Sequence, residues 1–404
     1  MDFNAADTAW ILVATALVFL MTPAGLSFFY GGLSNRRSVI NTVGMSYAAM
    51  CMATLAWIVV GYSLAFGEGG GEIVGKAQFL LSNIGLNDLE GSIPKMLFVA
   101  FQGVFAAIAV AIISGSVIER IKFGTWLLFS FLWVILVYCP LVYWIWGNGF
   151  LSGSGELDFA GGTVIHVNAG IAGLVMAMVL GRRSFSKKMA KASSVKLTVL
   201  GAALLWFGWF GFNAGSQLAA DAIAANAFMV TNTAACMGGL GWLLAEWIST
   251  KKITILGLTA GVVSALVGIT PASGYVDVAG ALLIGLSSGI IGYYGVNRIK
   301  PFFGYDDSLD AFGIHGLVGI WGMLATGLFA NPEINGAAGL FYGNAYQLVP
   351  QLISLAVTIA FSSVATLIVY FISSLLTGGG KIDHLTRMRG VDSVLHDEEA
   401  FDFD

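Results

Sequence analysis

Two histidines stand at matched positions in two apolar stretches, each eight residues after an aspartate. The first stretch runs Asp158-Phe159-Ala160-Gly161-Gly162-Thr163-Val164-Ile165-His166-Val167-Asn168-Ala169-Gly170-Ile171-Ala172-Gly173. The second carries Asp307, His315, Gly319, Ile320 and Gly322 at the same spacing, so both contain Asp-x7-His-x3-Gly-Ile-x-Gly. A neutral imidazole both donates and accepts hydrogen bonds and titrates near neutrality, so a pair of them can share a proton. Ionisable groups in hydrocarbon are costly, and function is the default explanation for keeping one. A polar side chain bonded to a neighbouring helix accounts for one copy more readily than for two. A metal site fits less well, because no Glu or Cys lies at ligand spacing and two ligands fall short of the usual three or four.

Asp158 has two readings. A carboxylate at a helix N-terminus caps it, and the same charge lends negative potential to whatever lies beyond. Its counterpart Asp307, beside Asp306 and Asp310, reads as structural. Aromatic residues recur at helical spacing: Phe98, Phe101 and Phe105 in one stretch, Trp209 and Phe212, with Ser216 four residues on, in another. Such stripes are commonly core or lipid-facing belt. The topology derived below, however, puts Phe105, Trp146, Asp158, Phe212 and Ser216 in one outer half. Ring faces attract a cation by ~0.5–2 kcal/mol each, and a serine hydroxyl accepts an N–H. An aromatic cup with one acceptor and a nearby carboxylate suits a small, hydrogen-bonding monovalent cation. The chain has no TVGYG-like loop of the kind that selects K⁺.

The elements that hold these residues are membrane helices. Of 404 residues, 57% are hydrophobic and 10% charged, and mean hydropathy is +0.83; soluble domains carry about 25% charged residues. Eleven intervals of at least 20 residues lack Asp, Glu, Lys and Arg: 8–35, 38–67, 96–118, 123–155, 159–181, 197–220, 222–245, 253–276, 278–297, 311–332 and 334–380. Each holds the roughly 20 residues a crossing needs. Gly- and Asn-rich punctuation at 335–344 confines the last helix to about 346–377. With the N-terminus outside, seventeen basic residues, among them Arg36, Arg120, Arg183, Lys187, Lys188 and Arg389, fall on the cytoplasmic side. Only Lys76 and Lys95 fall outside, a strong positive-inside bias.

The predicted fold is therefore an all-α integral membrane protein with eleven transmembrane helices, N-out and C-in. Repeat one covers about 8–181, repeat two about 197–332, and helix eleven about 346–377. A membrane domain over 1–380 is followed by a cytoplasmic tail over 381–404. Five helices per repeat is an odd number, so the two Asp-x7-His helices cross in opposite directions as an inverted 5+5 repeat, whose site is expected near the midplane. Fifty-three glycines permit close helix approach. Residues 67–94 read as the longest external loop. Cys51, Cys139 and Cys236 lie inside predicted helices and give no disulfide framework. The start Met1-Asp2-Phe3-Asn4 lacks the basic segment of a cleavable signal peptide. Neither a cofactor, a metal nor a nucleic-acid partner is expected, and no nucleophile–base pair suggests an enzyme.

Trp206-Phe207-Gly208-Trp209-Phe210-Gly211-Phe212-Asn213-Ala214-Gly215-Ser216 resembles the signature of the Amt/MEP/Rh ammonium transporter family. So do the Asp158–His166 run, Phe101-Gln102-Gly103-Val104-Phe105, and Asp310-Ala311-Phe312-Gly313-Ile314-His315-Gly316. The likeness spans essentially 8–377, and Trp146 with Ser216 resembles the prokaryotic Amt branch. It implies a homotrimer in the lipid bilayer of the cell membrane, with a pore in each subunit, used for nitrogen uptake. Ammonium, with methylammonium as an analogue, would bind an outer site of Phe105, Trp146 and Ser216 supported by Asp158. Phe105 and Phe212 would form a gate. Trp209 would line the pore above the twin histidines His166 and His315, where NH₃ moves after ammonium gives up its proton. The rival expectations are an electroneutral NH₃/CO₂ gas channel, and an ammonium sensor coupled to a cytoplasmic signalling partner. Gly390-Val391-Asp392 and His396-Asp397-Glu398-Glu399-Ala400-Phe401 resemble the family's tail, with Asp397 where Gly is usual. A PII-type signalling protein is the partner this tail implies at the cytoplasmic face.

Overall fold

A computed structural model describes residues 3–183 and 191–402. Lys187 and Lys188 of the basic loop lie outside the described residues, as do Met1, Asp2, Phe403 and Asp404. Among the described residues, ten helices are long and apolar enough to cross a membrane: α1 (Ala5–Leu33), α2 (Val39–Phe66), α3 (Lys95–Val117), α4 (Phe123–Ile145), α5 (Gly162–Leu180), α6 (Val195–Gly215), α7 (Ala222–Thr250), α9 (Val278–Phe303), α10 (Phe312–Phe329) and α11 (Ala345–Leu376). Between α7 and α9 lies α8 (Ile255–Ile269), apolar but only 15 residues long. At 1.5 Å per residue it spans about 22 Å, short of the ~30 Å hydrocarbon core. Turns over 270–275 take up the rest of the interval that reads as a full-length crossing in the sequence.

Helix starts follow from side-chain caps, which satisfy N–H groups that have no partner in the first turn. Ser194 accepts from Leu197 N at α6, Asp221 from Ala224 N at α7, Thr254 from Gly257 N at α8, and Asp277 from Gly280 N at α9. The loop 67–94 holds one feature the sequence reading lacks. Leu89–Glu90 (β1) and Ile93–Pro94 (β2) pair antiparallel around Gly91, whose φ of +57° suits glycine.

α5 and α10 hold the centre. Each opens with a six-residue π-helical segment, Gly162–Val167 and Phe312–Leu317, and each segment carries one histidine. Gly162–Val167 packs against the body of α10, and Phe312–Leu317 against the body of α5, so the two helices run antiparallel past each other. The repeated glycines mark the crossing. A Cβ on Gly170 would come within 2.3 Å of Gly316 N, and one on Gly319 within 3.2 Å of the His166 Cβ. The two contacts are equivalent under the motif's own spacing, because Gly170 and Gly319 each lie four residues after their histidine.

At the opposite end from the Asp158 loop, a charged cluster joins the segments around the two motifs. Arg183 bridges Glu119 (3.4 Å) and Asp306 (2.9 Å), Lys300 pairs with Asp310, and Arg120 donates to the carbonyls of Ser116 and Gly181. Burial pushes the Glu119 carboxyl above its usual range, and Arg183 opposes that shift. Beyond α11 the tail forms two short helices, α12 (His384–Arg389) and α13 (Val391–His396). It docks on the start of α2, where Asp392 accepts from the Ile40 and Asn41 N–H groups at 3.0 and 2.8 Å. Asp397, the departure from Gly, adopts φ +54°, a left-handed conformation that Asp tolerates better than most residues.

Candidate functional site

Asp158 organises the start of α5. Its Oδ1 accepts from Gly161 N (2.8 Å) and Gly162 N (2.6 Å); its Oδ2 accepts from Thr163 N (2.8 Å) and the Thr163 hydroxyl (2.5 Å). Gly161 has φ +112°, and a Cβ there would lie 2.6 Å from Ile165, so the turn that brings three N–H groups onto one carboxylate needs glycine. The Asp158 main-chain carbonyl in turn accepts from the Trp146 indole at 3.0 Å. Asp307 does the same at α10, accepting from Phe312 N and the Ser116 hydroxyl, both at 2.7 Å, while itself wholly buried. The carboxylate of each motif therefore caps the helix that carries the histidine.

Above this start lies an open cavity of about 390 Å³, lined by Phe98, Phe105, Trp146, Asp158 and Ser216 and also by Gln102, Glu90, Phe159 and Tyr275. The cup thus gathers every residue named for the outer site. Trp146 meets Phe105 edge-on, with centroids 6.5 Å apart at 82°. The Ser216 hydroxyl donates to Phe212 O at 2.8 Å, which leaves its oxygen lone pairs free to accept. Gln102 was legible only as part of the family-like run; its Oε1 is buried without a hydrogen-bond partner, one more acceptor in the cup wall.

The floor of the cup is the Phe105–Phe212 pair, 4.4 Å between centroids and both essentially inaccessible to solvent. Phe212 lies 5.8 Å from the His166 ring at 19°, and Trp209 lies 5.5 Å from it at 22°. The Trp209 indole donates to the Thr270 hydroxyl at 2.9 Å, which fixes its plane. His166 Nδ1 and His315 Nδ1 are 3.2 Å apart. Only one of these nitrogens can carry the shared hydrogen, so the rings hold opposite tautomers. His166 Nε2 is buried with no partner. Beside the pair is a void of about 10 Å³ walled by Met21, Leu26, Ile108, Ile112 and Leu205, room for about one water at most. An unpartnered imidazole nitrogen in apolar surroundings is able to hydrogen-bond a small neutral molecule.

The sequence as a whole has known relatives. The model of the Ammonium Transporter Family matches residues 9–401. The chain belongs to that family. It is 45% identical over 401 residues to an ammonium transporter of Aquifex aeolicus, covering 98% of this chain and 94% of the relative. Its fold matches a crystal structure of Candida albicans Mep2 with a TM-score of 0.86 at 35% identity, over 95% of this chain and 87% of that one. It also matches a solved structure named as a sensor Amt protein, with a TM-score of 0.89 at 26% identity, over 97% of this chain and 98% of the other. This Amt-family chain is thus a multi-pass membrane transport protein and not an enzyme. Among its described residues, no group of three or more His, Cys, Asp or Glu side chains is arranged to hold a metal ion.

Proposed function

We propose that the chain is an ammonium transporter. It recruits NH₄⁺ at the cup of Phe105, Trp146 and Ser216, supported by Asp158. There the ion gives up its proton, and NH₃ passes the Phe105–Phe212 gate and Trp209 to His166 and His315. The proton follows through the hydrogen-bonded imidazole pair and rejoins ammonia on the far side, so net charge moves. The observation that carries this reading is the paired imidazoles at 3.2 Å beside the close-packed Phe105 and Phe212 rings. A bare monovalent cation in so dry a passage would lose its hydration without compensation. NH₃ is neutral and hydrogen-bonds to an imidazole nitrogen. K⁺ cannot shed a proton, so chemistry rather than width would exclude it.

In this reading all eleven helices cross the cell membrane, N-terminus out and C-terminus in, with α8 completed by the turns after it. α1–α5 and α6–α10 form the inverted repeat, which the antiparallel α5–α10 crossing supports. The subunits assemble as a homotrimer. The tail docked on the start of α2 would be the surface a PII-type protein reads. Saturable ammonium uptake by proteoliposomes, unaffected by a large excess of K⁺, is the expected result; competition by K⁺ would overturn the reading. A signalling role is the second reading, favoured by the likeness to a protein named as a sensor. Ammonium-responsive binding of a cytoplasmic partner without flux would select it.

Phe212 offers a separate check. Phe212→Ala removes the ring that packs against Phe105 and stacks on His166, and water should then reach the imidazoles. Ammonium flux is expected to fall several-fold while the purified protein stays folded. An unchanged rate would make Phe212 core packing.

A further inference from the structure

The Thr163 hydroxyl lies between two carboxyl groups, 2.5 Å from Asp158 Oδ2 and 2.8 Å from Glu156 Oε1. It has one hydrogen to give. Asp158 already accepts three main-chain N–H groups, the environment of an ionised carboxylate. The hydroxyl hydrogen therefore belongs to Asp158. The remaining contact joins two oxygens, and it is a hydrogen bond only if Glu156 supplies the proton. Glu156 Oε2 is sealed from solvent; the Ser354 hydroxyl of α11 lies beside the carboxyl but makes no hydrogen bond with that oxygen. A buried charge with an unmet acceptor is expensive, whereas the neutral acid is not. The backbone on either side is pinned to α11: Gln347 Nε2 donates to Gly155 O at 2.7 Å, and Gln351 bonds both Leu157 N (2.7 Å) and Leu157 O (3.0 Å).

We propose that Glu156 is a positioning residue of the outer site, acting as a neutral carboxylic acid that donates to Thr163, which in turn donates to Asp158. The relay continues through the Asp158 carbonyl to the Trp146 indole, so the protonation of Glu156 sets the rigidity of the cup. The assignment rests on the transport reading above for its effect on flux, but not for the proton itself. Around Glu156, Asp158 is the charged neighbour from the start of α5, Tyr275 is the titratable neighbour from the turn after α8, and Ser354 is the facing group of α11. Burial, and then the charge of Asp158, push the Glu156 carboxyl up to about 8. Above that value two carboxylates would compete for one hydroxyl hydrogen.

The test compares wild type with E156Q, whose amide is neutral and still donates to Thr163. Taking the ratio of their ammonium fluxes at each pH cancels the changing fraction of NH₄⁺. The ratio should be near one at about pH 6.5, and at about pH 9 the wild type should fall to about a tenth of E156Q. A ratio constant across that range overturns the proposal. Infrared difference spectra, wild type minus E156Q in membranes without ammonium, supply a readout independent of transport. The carbonyl band of a protonated carboxyl should be present near pH 6.5 and lost near pH 9; its absence near pH 6.5 overturns the assignment whether or not the protein transports.

Discussion

A protein in which both His166 and His315 are replaced by alanine is expected to lose selective ammonium transport, by about 10²-fold or more, while keeping its assembly. The magnitude is that of a positioned proton-transfer group. Here two such groups share one hydrogen across 3.2 Å in a site with room for about one water. The double variant leaves no orphaned nitrogen between the two positions, unlike a single replacement, while each truncation opens a buried cavity. The single variants separate the two costs, since each strands one imidazole nitrogen and opens only half the cavity. Flux and thermal unfolding in detergent, measured on the two single and the double variants, check the claim. Wild-type flux and selectivity in the double variant would remove the histidines from the mechanism.

Asp158→Ala is expected to be the most destabilising single change around the aromatic cup. It strips the acceptor from the N–H groups of Gly161, Gly162 and Thr163 and from the Thr163 hydroxyl, all buried. Each orphaned buried donor costs about 1–3 kcal/mol, so a loss of at least about 3 kcal/mol is expected even after the start of α5 relaxes. The same change frees Trp146, whose indole bonds the Asp158 carbonyl, so transport should fall with stability. Asp158→Asn keeps one acceptor oxygen and should lie between. A melting temperature for Asp158→Ala equal to that of wild type would mean the carboxylate acts only as a charge facing the cup. The two readings of Asp158 open in the sequence are thus separable.

Much of this was legible in the sequence because membranes restrict the options. Uncharged intervals report apolar helices, and the equal spacing of His166 and His315 from their aspartates suggested that they belong together; the structure brings them into contact. The aromatic residues were harder. Phe105 and Phe212 share no sequence neighbourhood, and only the tertiary packing brings their rings together. Three features left no signal. The π-helical starts of α5 and α10 depend on main-chain bonds such as His166 N to Gly161 O, not on residue type. The shortness of α8 is hidden because the turns after it are as uncharged as the helix. Glu156 follows Ser152-Gly153-Ser154-Gly155, a stretch that gives no sign of burial, because burial of its carboxyl depends on α11, nearly 200 residues further along the chain.

The most direct measurement is the current from proteoliposomes on a solid-supported membrane after an ammonium jump and then a potassium jump. The proposed mechanism predicts a saturating current with ammonium, none with potassium, and loss of the ammonium current in the His166 and His315 double alanine variant. A potassium current of comparable size would contradict selection by deprotonation. Silence with ammonium while NH₃ still permeates would make the protein an electroneutral gas channel, and the aromatic cup only its filter.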